Sequence, residues 1–362
     1  MRKFCDVISG MIDQNIPFFL YRLPNENKIH CGVQSNSELQ KAPIDSFIGK
    51  EGFIIAPFEN KYAYLLTPDY LFDLPSDLHV LAELTLQLSF FTSQEETSPV
   101  IESSYEEYIS QCNRYIDQIR TGRAEKAILA RCVKTDRLTR KKAGYIFTQL
   151  EACYKDACVF LVNLPGVTTW IGASPETLLK VHNDSFITMS LAGTRKWEAG
   201  ITEHVETWAA KEKKEQAIVT EYIYNKLISS QVKKVTCEPL CVKKAGGVGH
   251  LQTMIHGVLS HCQIADLIMA LHPTPAVCGS PTSEALTMIH EIESLSRDFY
   301  AGYLGYQEAN GDLALFVNLR SARLLNEYGL LYVGGGITAD SVPENEWEET
   351  CLKAQTILNV LN

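Results

Sequence analysis

A chain of 362 residues, 46% hydrophobic and 21% charged, has room for one large or two ordinary globular domains, each with a full core. Its 43 acidic against 33 basic residues argue against a nucleic-acid partner, and its longest apolar runs, such as Phe53–Phe58, fall far short of a bilayer's thickness. Eleven cysteines with no CxxC pair suit reduced thiols, and Asp6 and Asp13 interrupt any signal-like segment after Arg2 and Lys3, so a cytoplasmic protein with no membrane partner is expected.

In the first hundred residues, Phe18–Tyr21, Phe53–Phe58 and Tyr62–Leu66 are apolar or aromatic runs separated by Pro, Gly and Asn, which predicts strands and turns. A helix is expected over Leu78–Phe91, and the polar stretch Thr92–Pro99 is the best candidate boundary. Ser103 and Ser104 stand three residues ahead of Glu106 and Glu107, the spacing of a capping box. The helix they open carries Tyr105, Tyr108, Ile109, Cys112, Ile116 and Ile119 on one face, and Gly122 closes it. Lys126–Lys134 alternates and is rich in Ile, Leu and Val, so it reads as a strand; Ala143–Tyr154 reads as a helix. Strands follow at Val159–Asn163, Thr168–Gly172, Thr177–Val181 and Ser185–Ser190, then a long polar helix from about Thr202 to Ser229. Strands near Val232–Val242 and His250–Leu259 precede helices at Ala265–Leu271 and Ser283–Leu295. Three further strands, Tyr300–Gln307, Leu313–Ser321 and Arg323–Val333, lead into three glycines and a helix beginning near Asn345. Helices alternating with groups of antiparallel strands predict a layered α+β protein rather than a doubly wound parallel sheet.

The run Gly334-Gly335-Gly336-Ile337-Thr338 would end a strand on backbone N–H groups that an anion can approach closely. Beyond it, Glu346 and Glu349 share a helix face at i, i+3, and Glu212 and Glu215 repeat that spacing on the long polar helix. Two such acidic pairs suit a hard oxygen site for Mg²⁺, an ion that accepts substrate oxygens. Read alone, they are equally solvated helix faces, with Lys211, Lys213, Lys214 and the Glu349–Lys353 pair as counter-charges. Glu176, after the Gly172–Pro175 turn, is either a tuned acid or an exposed strand start. Lys126 either snorkels or is desolvated into a base, and His250 at a strand start is as well a core histidine as a functional one.

The order of these stretches is specific where each alone is not. Lys126 in Glu-Lys-Ala-Ile-Leu-Ala-Arg, the Gly172–Glu176 turn, Leu191-Ala192-Gly193-Thr194-Arg195 and Lys211–Glu215 come first. His250-Leu251-Gln252-Thr253, the Leu271–Gly279 stretch beginning Leu-His-Pro-Thr-Pro-Ala, Ala301–Tyr306, Arg320 and the glycine run follow. Over roughly residues 104–358 this succession resembles the chorismate-utilising enzymes, and within them the isochorismate synthases. The resemblance implies an anthranilate synthase component I-like α+β fold of two large sheets packed together with helices outside. Residues 1–100 would complete that fold and residues 101–362 would form the chorismate-binding catalytic region, as one structural domain overall. By position, Lys126 falls on the general base that activates water and Glu176 on the general acid. Glu212, Glu215, Glu346 and Glu349 fall on the magnesium carboxylates, with Glu215 and Glu349 the most direct ligands. His250, Arg320 and Lys353 fall on the chorismate site, and backbone groups at Gly193, Thr194, Gly335 and Gly336 on its carboxylate contacts. The implied reaction adds water at C2 of chorismate while the C4 hydroxyl leaves, and it needs no glutaminase subunit.

Related activities differ at particular residues. Anthranilate synthases generally have glutamine where Lys126 stands, and aminodeoxychorismate synthases typically have lysine where Ala192 stands. Both differences favour water as the nucleophile; salicylate synthases, which go on to expel pyruvate, are set apart by a softer difference at Thr274–Val277. A non-catalytic chorismate-binding protein would be expected to have lost Lys126 or Glu176, and both are present. Lys214 and Gln216 depart from the family's usual residues around the first magnesium carboxylates. Menaquinone synthesis is the preferred destination of the product, with a siderophore as the alternative; oligomeric state is not readable.

Overall fold

The computed structural model describes residues 1–90, 102–259 and 264–361. The first segment forms α1 (Arg2–Asp13), β1 (Phe18–Arg22), β2 (Ile29–Val33), β3 (Gln40–Ala42), β4 (Gly52–Ala56), β5 (Ala63–Leu66), β6 (Tyr70–Leu74) and α2 (Leu78–Gln87). After it come α3 (Tyr105–Arg120), β7 (Lys126–Thr135), α4 (Ala143–Cys153), β8 (Cys158–Leu164), β9 (Thr168–Ser174), β10 (Thr177–His182) and β11 (Ser185–Lys196). Then α5 (Ala210–Ser229), β12 (Lys233–Cys237), β13 (Cys241–Ala245), β14 (Val248–Val258), α6 (Ile264–Leu271), β15 (Gly279–Ser280) and α7 (Thr282–Ile292) follow. The chain ends with β16 (Tyr303–Gln307), β17 (Leu313–Val317), β18 (Ser321–Leu324), β19 (Gly329–Ile337) and α8 (Pro343–Leu358).

The strands make two antiparallel sheets. One runs β15-β7-β19-β18-β9-β8-β1-β2-β6, the other β12-β14-β11-β10-β17-β16-β4-β5-β3, with β13 also paired to β14. Period-two alternation explains how they pack. In β8 and β9, Phe160, Val162, Leu164 and Trp170 join the core between the sheets, while Val159, Leu161, Ile171 and Ala173 join a second core beneath helices. That second core takes Phe4, Ile8 and Met11 of α1 and Ile146, Phe147 and Leu150 of α4, spaced three and four apart as one helix face. Because both faces of the first sheet are covered, β8 reads as a continuous apolar run rather than an alternating one. The first ninety residues supply three strands at one end of each sheet, joined through β1–β8 and β4–β16.

The α+β expectation holds, and most elements lie where the sequence places them. Ser104 caps α3 by accepting from the Glu107 N–H at 3.1 Å, and Gly122 follows with φ +85°. Several boundaries differ, and α1, β2, β3, β6 and β15 lie where the sequence predicts no element. The long helix begins at Ala210 rather than Thr202, because Thr202, Thr207 and Trp208 hydrogen-bond to carbonyls of the preceding loop instead of opening a helix. The predicted strand Ser185–Ser190 continues to Lys196 through the Ala-Gly-Thr motif, with a bulge in its pairing at Gly193 (φ +68°). The expected strand Val232–Val242 divides at Glu238-Pro239-Leu240 into β12 and β13. Arg323–Val333 is a hairpin of β18 and β19, and β19 carries Gly334–Gly336 inside the sheet, paired to β7. Tyr300–Gln307 and Leu313–Ser321 shorten to β16 and β17, leaving Ala301 (φ +60°) and Arg320 (φ +49°) in left-handed turns. The candidate boundary Thr92–Pro99 lies outside the described residues.

Candidate active site

A cavity open at its mouth lies between the two sheets. The first sheet lines it with Lys126, Ile128 and Gly334–Gly336, the second with Leu191–Thr194 and His250, and helices α5 and α8 add Glu215, Glu349 and Lys353. Glu176, Tyr300 and Arg320 complete the wall from turns between strands.

Lys126 opens β7 and is 1% exposed. Its Nζ donates to Glu215 Oε1 at 2.5 Å. Glycine at 336 is what leaves room for this pair: a Cβ there would stand 2.7 Å from Lys126 Cε and 3.0 Å from Glu215 Oε1. Burial alone would raise the Glu215 pKa, but the charge and hydrogen bond of Lys126, with Lys353 and Lys211 further off, hold it below the ordinary carboxylate value.

Glu176 follows Pro175 in the β9–β10 turn, and its carbonyl accepts from the Val317 N–H at 3.0 Å. The side chain is 2% exposed. Burial pushes its pKa up to about 8, against the opposing pull of Lys126 and Lys243. A carboxyl in that state is protonated at neutral pH and can donate.

On the far wall, Arg320 Nη1 donates to the Ala245 carbonyl at 2.8 Å, and Nη2 lies 2.7 Å from His250 Nε2. His250 Nδ1 is 2.9 Å from the Gly193 carbonyl oxygen. Those partners assign the imidazole proton to Nδ1, leaving Nε2 to accept from Arg320. Burial first, then Arg320 and Lys353, keep the His250 pKa far below its ordinary value, so it is a neutral ring that orients a cation. Burial brings Arg320 itself down to about 10. Lys353 donates to the Gly334 carbonyl at 2.8 Å and pairs with Glu349 at 2.8 Å.

The family profile described as chorismate binding enzyme matches residues 75–362 of this sequence. The chain belongs to the chorismate-binding enzyme family. Over 94% of its length it is 27% identical to the vibriobactin-specific isochorismate synthase of Vibrio cholerae, covering 90% of that protein. It is 34% identical to the salicylate biosynthesis isochorismate synthase of Pseudomonas aeruginosa over 68% of this chain and 53% of that one. The menaquinone-specific isochorismate synthase MenF of Escherichia coli shares the fold, with a TM-score of 0.80 and 21% identity over 98% of this chain and 91% of that one.

Two of the family-implied carboxylates, Glu212 and Glu346, are not among the cavity-lining residues; each lies against a glycine that is, Gly193 and Gly335 respectively. Glu346 is buried; its Oε1 accepts from Ser341 Oγ at 2.6 Å, with Lys211 at 3.7 Å. Burial, with repulsion from Glu349, raises its pKa although Ser341 opposes. Glu212 Oε2 is buried with no hydrogen-bond partner. A Cβ on Gly335 would lie 3.7 Å from Glu346 Oε2 and 3.9 Å from Glu349 Oε1, so both carboxylates border one small space. A lone buried oxygen and two crowded carboxylates are features a divalent cation relieves, and the donor set fits Mg²⁺. Among the described residues no three such groups converge as a metal centre, and Lys126 and Lys353 pair with Glu215 and Glu349.

Two neighbours of the site escaped the sequence reading. Tyr300 lines the cavity and stacks on Tyr332 with ring centroids 5.5 Å apart; only its place just ahead of the Ala301–Tyr306 motif hints at it. Lys243 reads as one of many strand-edge lysines. The departures at 214 and 216 sit outside the cavity lining. Gln216 is buried and donates to Ser190 Oγ at 2.8 Å, tying α5 to β11, whereas Lys214 borders a side chamber that reaches Lys126 and Glu215.

Proposed function

We propose that this chain is an isochorismate synthase, converting chorismate to isochorismate with Mg²⁺. The observation that carries the reading is one cavity bordered by both Lys126 and Glu176, reaching it from different elements, with the carboxyl buried into its protonated state. Lys126 takes a proton from the water that attacks C2. Glu176 gives its proton to the C4 hydroxyl, which leaves as water while the ring double bonds shift, so one water enters and one departs. Arg320, oriented by His250, and Lys353 offer cations to a dicarboxylate that the protein's net charge of −10 would otherwise repel. Glu215 and Glu349, with Glu212 and Glu346, would hold Mg²⁺, which supplies neutralisation of the ring carboxylate next to the reacting carbons. Lys126 in place of glutamine, and Ala192 in place of lysine, support water over ammonia.

Proton NMR of chorismate incubated with the protein and Mg²⁺ tests this. Isochorismate is the expected product; anthranilate on adding ammonium, or salicylate with stoichiometric pyruvate, would refute the assignment. Lys126→Ala and Glu176→Gln are each expected to lower kcat by about 10³-fold.

A further inference from the structure

The turn bearing Glu176 is held from a direction its sequence does not suggest. β13, at the margin of the second sheet, pairs Lys243 with His250 of β14. From there Lys243 Nζ reaches the Pro175 carbonyl and donates to it at 2.9 Å, across 68 positions of sequence. Pro175 has no N–H of its own, so its carbonyl is the residue's sole backbone hydrogen-bonding group. On the other side of the turn, Ser174 Oγ donates to the Val317 carbonyl at 2.5 Å and the Val317 N–H donates to the Glu176 carbonyl. The peptide groups flanking the carboxyl are therefore fixed from two strands. Because Lys243 is paired with the cavity-lining His250, it leaves the sheet on the same face and meets this turn beside the cavity, although it is not itself part of the lining.

We propose that Lys243 is a positioning residue for Glu176, clamping the turn that presents the carboxyl and holding a positive charge beside it. This rests on the reading of Glu176 as the general acid. The charged and titratable groups facing that carboxyl are Lys126 from β7, Lys243 from β13 and the Tyr300 phenol from the turn before β16, with Arg320 next to both Tyr300 and Lys243. Burial favours the neutral acid and the two lysines oppose it. Burial also weakens the Lys243 ammonium's hold on its proton, while Asp156 and Glu176 strengthen it. Without Lys243, burial would act against Lys126 alone, and the acid would become a weaker donor on a looser turn.

The test compares wild type, Lys243→Met, Lys243→Gln and Lys243→Arg. The Glu176 carboxyl is titrated by carbon-13 NMR in substrate-free protein, assigned by the signal missing from Glu176→Gln, and kcat and KM are followed against pH. In Lys243→Met and Lys243→Gln the Glu176 titration is expected to rise by about one pH unit. The basic limb of kcat should move with it and kcat fall several-fold at unchanged KM, while Lys243→Arg restores both. An unmoved titration, an arginine variant no better than methionine, or a rise in KM with kcat intact overturns the proposal. If Glu176→Gln keeps full activity, the assignment of the acid fails, and the titration still decides separately what Lys243 does.

Discussion

Glu176 and Glu215 show how one residue type takes different work from its surroundings. Glu215 and Glu176 are carboxylates near the same lysine, yet Glu215 accepts its hydrogen bond and stays ionised while Glu176, further from it and buried, stays neutral. The sign for stability follows. The folded pKa of Glu176, about 8, lies above its ordinary 4.5, so burial costs nothing below pH 4.5 and stability is lost as pH rises through 8. Glu176→Gln should therefore match wild type in Tm at pH 5 and exceed it by a growing margin toward pH 9, measured by thermal unfolding without substrate. Activity of the wild type should fall above about pH 8 for the same reason. None of this is visible in the sequence, where Glu176 is a charged residue at a turn. Desolvation depends on burial that only the folded chain creates, in a cavity whose other walls come from distant positions such as Leu191, Tyr300 and Leu319.

At the level of strands and helices the sequence was far more legible. Apolar period and turn residues located the helices α3, α4, α7 and α8 and most strands, but not α1, β2, β3, β6 or β15. The misplacements have local causes: side-chain hydrogen bonds that end a helix early, a proline that divides a strand, and a glycine bulge that lets β11 run on. β19 is the instructive case. Its glycines look like a loop because nothing apolar marks them, yet they are sheet residues whose missing side chains make the cavity. Gly336→Ala should retain fold and Tm within a few degrees, since its new methyl meets the flexible ends of Lys126 and Glu215. It should lower kcat at least tenfold by displacing the lysine, read by steady-state kinetics beside circular dichroism. Gly305→Ala is the opposite: its Cβ would lie 1.8 Å from the Ala314 carbonyl oxygen in β17, so loss of folded protein is expected.

At the scale of the whole molecule, a buried ion pair ties the segment after α7 to β7 of the first sheet beside the cavity. Arg297 Nη2 meets Glu293 Oε1 at 2.6 Å and donates to the Ile128 carbonyl of β7 at 2.7 Å, while Nη1 donates to the Val277 carbonyl at 2.8 Å. Glu293 in turn accepts from the Ala130 N–H of β7 at 2.9 Å. Both side chains are almost fully buried, at 3% and 1% exposure. Glu293→Ala should cost about 3–5 kcal/mol by stranding the arginine, a loss that urea denaturation would report. The first ninety residues carry no cavity-lining side chain, yet β1 covers β8 and β4 covers β16. A fragment of residues 102–361 would bare both edges and should aggregate or show no cooperative unfolding transition.

That arrangement also sets a schedule for a ribosome making the chain. Phe53–Ile55 leave the exit tunnel long before Leu304–Tyr306, their sheet neighbours, have been polymerised. At ordinary translation speed the wait is roughly ten to fifty seconds. Through that interval β5 is the one sheet neighbour that β4 has, so these apolar residues are where a holding chaperone would be needed most.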